Sequence, residues 1–198
     1  MLRLTPVVKN LLIINVAVFL LEMFSSIPIV NYLSLWNVRS ANFQPYQLFT
    51  YMFVHSPNSF THIFFNMLGL VFFGPILETY WGTKRFLLFY IIAGIGAAVF
   101  NVLVDLFFGA GSFGLMLGAS GAIYGVLTAF GMIFPNMEIM LLIPPIPIKA
   151  KYLVLILGGM AIYSGISNNP GDNVAHFTHL GGIVVAFILV QFWRSRGF

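Results

Sequence analysis

The sequence predicts an all-α membrane protein with six transmembrane helices. Three observations carry that expectation. The 198-residue chain is 60% hydrophobic and only 7% charged, and its mean hydropathy is +0.96. A water-soluble domain needs far more charge than this to cover its surface. Six apolar runs approach the roughly 20 residues that a helix needs to cross the hydrocarbon core. The basic residues sit in ones and twos at the ends of those runs and form no basic patch, so no nucleic-acid partner is expected. Membrane lipid is the expected surrounding.

The runs are Val7 to Phe24, His62 to Tyr80, Phe86 to Phe108, Leu115 to Phe134, Ile148 to Ile166 and Val174 to Trp193. None shows the apolar–polar alternation of barrel strands, so a helical bundle is expected. No recognisable cleavable signal peptide precedes the first run, which is therefore expected to stay in the mature fold. Arg3 and Lys9 flank that run. Lys84 and Arg85 separate the second from the third, Lys149 and Lys151 mark the start of the fifth, and Arg194 and Arg196 follow the sixth. A cytoplasmic amino terminus places all eight on the cytoplasmic side and leaves only Arg39 outside, as positive-inside asymmetry requires. Six crossings then return the carboxyl terminus to the cytoplasm. The chain shows no linker and no internal repeat, and residues 1–198 are expected to form one domain. It contains no cysteine, which excludes disulfides, zinc–thiolate sites and thiol nucleophiles.

Two outer connections stand apart. The stretch from Ser25 to Ser59 carries Trp36, Phe43, Tyr46, Phe49, Tyr51 and Phe53. It reads equally as a segment lying in the membrane interface or as an ordinary folded outer loop. Residues 107–121, FFGAGSFGLMLGASG, are apolar but crowded with glycine, which disfavours continuous helix. The expectation is a re-entrant loop that delivers the chain to a helix starting near Ser120. Irregular backbone at membrane depth is tolerated only against protein or a water-filled cavity.

Polar groups within spans are costly and mark candidate sites. Taken alone, Ser120 reads first as a packing residue, because Gly121 and Gly125 form a small-xxx-small pair. At a helix start, however, unpaired amides lie beside its hydroxyl and could hold an oxyanion. Serine then needs a base. The sixth run opens with His176 and His179, three residues apart. They could be interfacial histidines or a metal pair, although the His-Glu-x-x-His zinc pattern is absent from the chain. As base, His179 is preferred, because its face continues through Gly182 and Ala186 and permits close approach to Gly121 and Gly125. In the second run, His62 and Asn66 share a helical face four residues apart. They are either packing residues or two converging hydrogen-bond donors. Tyr124, one turn after Ser120, could pack against the His179 ring. Glu78, at the other end of the second run, is expected to satisfy loop amides or a cation. No metal or cofactor is expected.

These residues together resemble the rhomboid family of intramembrane serine proteases. Gly118-Ala119-Ser120-Gly121 is similar to the family's Gly-x-Ser-Gly motif, and His179-Leu180-Gly181-Gly182 to its His-x-x-Gly motif. His62-Ile63-Phe64-Phe65-Asn66 resembles its His-x-x-x-Asn motif. Gly74-Pro75-Ile76-Leu77-Glu78 with Gly82 resembles its pattern on the second helix. The resemblance implies a minimal six-span bundle of bacterial type, with the first outer loop embedded in the membrane and the glycine-rich loop re-entrant before the fourth span. It implies a Ser120–His179 dyad, an oxyanion hole of His62, Asn66 and the Ser120 amide, and Tyr124 stacked under His179. Gly118, Gly121 and Gly182 support the arrangement. It further implies single-pass transmembrane proteins as substrates, cut near the outer face, and a bacterial inner-membrane location. The chain departs from the family in lacking a Trp-Arg pair around Pro45-Tyr46-Gln47, in having Thr178 where alanine is usual, and in having Ala186 where a second glycine is frequent. The competing expectations are a non-catalytic relative that binds membrane clients and a small transporter or channel.

Overall fold

A computed structural model describes residues 4–108, 115–141, 144–167 and 176–197. Among the described residues, five helices are long and apolar enough to cross a membrane: α1 (Pro6–Phe24), α4 (Phe60–Trp81), α5 (Thr83–Phe108), α7 (Ala150–Ser167) and α8 (His176–Ser195). Between them lie α2 (Ile29–Leu33), β1 (Leu35–Trp36), α3 (Gln47–Thr50), β2 (Leu115–Met116), α6 (Ser120–Ile133), β3 (Glu138–Met140) and β4 (Pro147–Lys149). A 3-10 turn covers Tyr51–Phe53.

The fourth expected span is corrected here. Of the run from Leu115 to Phe134, only the 14 residues of α6 are helical. Leu115 and Met116 instead pair antiparallel with Trp36 and Leu35 of the first outer connection. Gly118 then takes φ +114, a backbone region that glycine enters without a Cβ penalty. A helix of this length rises only about 21 Å, shorter than the five long helices, and most of its residues are buried against α4, α5, α7 and α8. The re-entrant loop expected before it lies partly outside the described residues, which omit 109–114. The described part, 115–119, is non-helical and largely buried. The fifth expected run also loses Ile148 to β4, which pairs with β3 in a hairpin between α6 and α7.

Close packing of α6 against α8 and α5 depends on missing side chains. A methyl group at Gly182 would fall on the Gly121 carbonyl oxygen, and one at Gly125 would lie 2.8 Å from the Ala93 Cβ. Such small-residue contacts bring helix backbones together where lipid gives no hydrophobic drive between helices. Around this centre Tyr51, Met52, Phe86, Phe89, Tyr90 and Phe130 are fully buried.

Glu78 has the structural part expected of it. Its carboxylate accepts the Val7 amide at 3.0 and 3.1 Å and the Val8 amide at 3.1 Å. The first amides of α1 have no intrahelical acceptor, and an anion at a helix start is favoured by the dipole. Glu78→Ala strands two buried donors, and charge-assisted bonds of this kind are worth about 1.5–3 kcal/mol. The expected result is a clear fall in the thermal unfolding midpoint of the detergent-solubilised protein, with Glu78→Gln retaining part of it.

The first outer connection is folded by its own polar centre. Gln47, 1% exposed, accepts the Trp36 amide (3.3 Å) and the Gln44 amide (3.1 Å) on Oε1. Its Nε2 donates to the Tyr32 and Asn42 carbonyls, both at 3.2 Å. Asn37 ties the loop to the buried Asp105 of α5 at 2.9 Å. At the opposite end of the bundle, Arg85 lies over the Trp193 ring and Arg194 donates to the Met132 carbonyl. The ends of α4, α6 and α8 and the β3–β4 hairpin meet there, so Arg85, Lys149, Lys151 and Arg194 gather at one end of the fold.

Candidate active site

The site lies at the bundle end opposite those basic residues, where α4, α6 and α8 begin. Ser120 is the first residue of α6. Its Oγ lies 2.8 Å from Nε2 of His179 on α8, a distance proper to a nucleophile–base hydrogen bond. The Gly182–Gly121 contact one turn along brings the two backbones close enough for this reach. Tyr124 stacks on the His179 imidazole, with ring centroids 4.2 Å apart and planes 4° from parallel. That contact fixes the orientation of the imidazole on one of its faces. Thr178, buried beside His179, donates its hydroxyl to Met116 Sδ at 2.8 Å, tying α8 to the strand that leads into Ser120.

His62 and Asn66, both on α4, reach the same place from the other side. A methyl group at Gly118 would lie 2.6 Å from His62 Nε2 and 3.8 Å from Asn66 Nδ2. The missing side chain at Gly118 therefore leaves open the space into which both groups project, immediately before the free amides of α6. Gly118 itself is held by its N–H donating to the Tyr51 carbonyl at 3.0 Å. The arrangement brings together a hydroxyl with a base on it, a stack that orients the base, and donors beside a helix start. These are the parts required for acyl transfer.

His176 is also close: its ring meets His179 edge-on, with centroids 6.1 Å apart and planes at 84°. The hydroxyl bond belongs to His179, one turn deeper. His176→Ala is expected to keep most of the wild-type turnover, and a loss as complete as that of His179→Ala would contradict this assignment. Among the described residues, no group of three His, Cys, Asp or Glu side chains could hold a metal ion.

His55 was not singled out by the sequence. It is fully buried in the turn before α4, with its ring centroid 5.2 Å from that of His62 and Nε2 3.3 Å from Asn66 Nδ2. Its backbone N–H donates to both Glu22 carboxylate oxygens of α1, at 3.2 Å each. Burial, and then the neighbouring His62, push the His55 imidazole down to about 4, against the opposing effect of the Phe53 backbone. It is therefore neutral near pH 7. Helical periodicity cannot reveal such a residue, because it sits in a non-helical turn seven positions before His62. The only signal was a titratable side chain within the apolar stretch YMFVH.

A multi-helix membrane fold with a serine and a histidine joined at the start of a short internal helix defines a class: polytopic membrane proteins with a hydrolase-like site. Residues 42–196 match the Rhomboid domain, and the chain belongs to the rhomboid family. It is 30% identical over 202 residues to the Bacillus subtilis protein YdcA, covering 96% of this chain and 91% of that relative. It is 31% identical over 133 residues to Rhomboid protein 1, mitochondrial, of Saccharomyces cerevisiae, and 33% identical over 145 residues to RHOMBOID-like protein 1 of Arabidopsis thaliana. These two alignments cover 67% and 73% of this chain but only 38% and 33% of the relatives' own lengths.

Proposed function

We propose that this protein is an intramembrane serine endopeptidase that cuts single-pass transmembrane proteins near the outer membrane face. The observation that carries this reading is the 2.8 Å contact between Ser120 Oγ and His179 Nε2 at the first turn of α6. Membership of a family that includes YdcA, which is named as a rhomboid protease, supports it.

In this mechanism neutral His179, with its hydrogen on Nδ1, takes the Ser120 proton on Nε2 as Oγ attacks the scissile carbonyl. The oxyanion is met by His62, Asn66 and the Ser120 amide. The imidazolium then gives its proton to the leaving amine, and an acyl-enzyme remains. Water, deprotonated by the same imidazole, attacks the ester. The acid product leaves, and the proton returns to Ser120. A transmembrane helix keeps its carbonyls hydrogen-bonded within itself, so the substrate must unwind locally, which favours small and helix-weakening residues at the cut.

The reading includes six crossings, with α6 as a short internal one, and a first outer loop resting in the interface. Exposed Ile27, Tyr32, Tyr46 and Phe49 on that loop suit such a position. Both termini are assigned to the cytoplasm of a bacterial inner membrane, since Arg85, Lys149, Lys151 and Arg194 gather at that end of the bundle. Substrate entry is assigned to α7, which is little buried by the rest of the bundle. The loop of residues 167–174, expected to move with it, lies outside the described residues apart from Ser167.

Purified protein reconstituted with a panel of single-span membrane proteins tests the proposal. Cleavage within or beside a transmembrane segment, absent with Ser120→Ala, is the expected result. Binding of the same proteins without any cleavage would favour the non-catalytic reading.

A further inference from the structure

We infer that His55 is a positioning residue that sets the candidate oxyanion donor Asn66, beside His62, from a turn anchored to α1. This inference rests on the proposed activity. Asn66 has two amide hydrogens. One goes to the His62 carbonyl at 3.0 Å, and the other is directed at His55 Nε2 at 3.3 Å. An N–H donor requires that Nε2 be an acceptor, so the neutral His55 ring carries its hydrogen on Nδ1. With both hydrogens engaged, the amide keeps its nitrogen on the side of Gly118.

The two bonds differ in consequence. The bond to the His62 carbonyl lies within α4 and is good in length. The bond to His55 is long for an N–H···N contact and correspondingly weak. It is the N–H that Asn66 can redirect as a hydrogen-bond donor toward a developing oxyanion at little cost, while the resting amide is kept from rotating. The same His55 ring packs on the His62 imidazole, so one side chain borders both donors. Its own place is fixed from outside the site, because Glu22 of α1 accepts the His55 amide. Donors held in place before reaction lower the barrier, since no reorganisation is needed as charge develops.

The test compares two amides of different reach. His55→Gln keeps an acceptor near the Nε2 position, whereas His55→Asn is the same group one methylene shorter. The rate of Ser120 labelling by a fluorophosphonate, whose phosphoryl oxygen must occupy the oxyanion position, is measured first, and kcat and KM on a cleaved membrane substrate second. His55→Gln should stay near wild type. His55→Asn should lose about tenfold or more in labelling rate and kcat, with KM nearly unchanged and the unfolding midpoint equal to that of His55→Gln. In an Asn66→Ala background the difference between the two variants should largely vanish, because the effect passes through Asn66. Equal rates for His55→Gln and His55→Asn in a protein that labels normally would overturn the inference and leave the proposed activity standing. So would a difference that persists without Asn66, or a loss that follows the unfolding midpoint. Wild-type protein that takes no label would remove the proposed activity, and the inference with it.

Discussion

Ser120→Ala and His179→Ala should each reduce cleavage of a membrane substrate by at least about a thousandfold, and the double variant should be no worse than either alone. The reason is the shared proton. Without His179 Nε2 at 2.8 Å, the Ser120 hydroxyl attacks as a neutral alcohol. Without Ser120, the imidazole has no nucleophile to activate. Neither side chain supports the fold to a comparable degree, since both are only partly buried. Both variants should therefore keep the wild-type unfolding midpoint, and turnover and thermal unfolding measured side by side separate chemistry from stability. Additive losses in the double variant would mean that the two groups act independently.

Gly182→Ala should have the second largest effect, by a different route. The added methyl meets the Gly121 carbonyl oxygen, which is backbone and cannot rotate aside. Relief requires α8 to move from α6, the two helices that carry His179 and Ser120. A displacement near 1 Å at a reacting pair costs on the order of a hundredfold in rate, and overpacking at a helix contact costs about 1–3 kcal/mol. Turnover and unfolding midpoint should fall together here, unlike in the serine and histidine variants. Ala186→Gly, on the same face, adds no atom and should leave the helix separation intact.

The parts of the fold that are legible in the sequence are those set by local chemistry. Length and hydropathy mark α1, α4, α5, α7 and α8 within a few residues, because a lipid-crossing helix must satisfy its backbone within itself. The start of α6 at Ser120 follows from the glycines before it. What could not be read is set by distant pairing. Leu115 and Met116 are apolar enough for a span, yet they pair with Trp36 and Leu35, some eighty residues earlier. The β3–β4 hairpin, with Pro144, Pro145 and Pro147 in or beside its turn, falls between two apolar runs and overlaps only the start of the second. Gln47 gave no sign that it would hold the first outer connection together, since its partners come from Tyr32, Trp36, Asn42 and Gln44. Ser120, His179 and Asn66 could be singled out as candidates because Ser120 follows the glycines before a helix start and the other two share helical faces with Gly182 and His62. His55 could not, because the turn that carries it has no period.

The most direct measurement of the account is the location of a fluorophosphonate adduct by peptide mass spectrometry of the labelled, membrane-reconstituted protein. The account predicts one adduct per chain, on Ser120, with labelling lost in His179→Ala. An adduct on another residue, or Ser120 labelling that continues unchanged without His179, would contradict it.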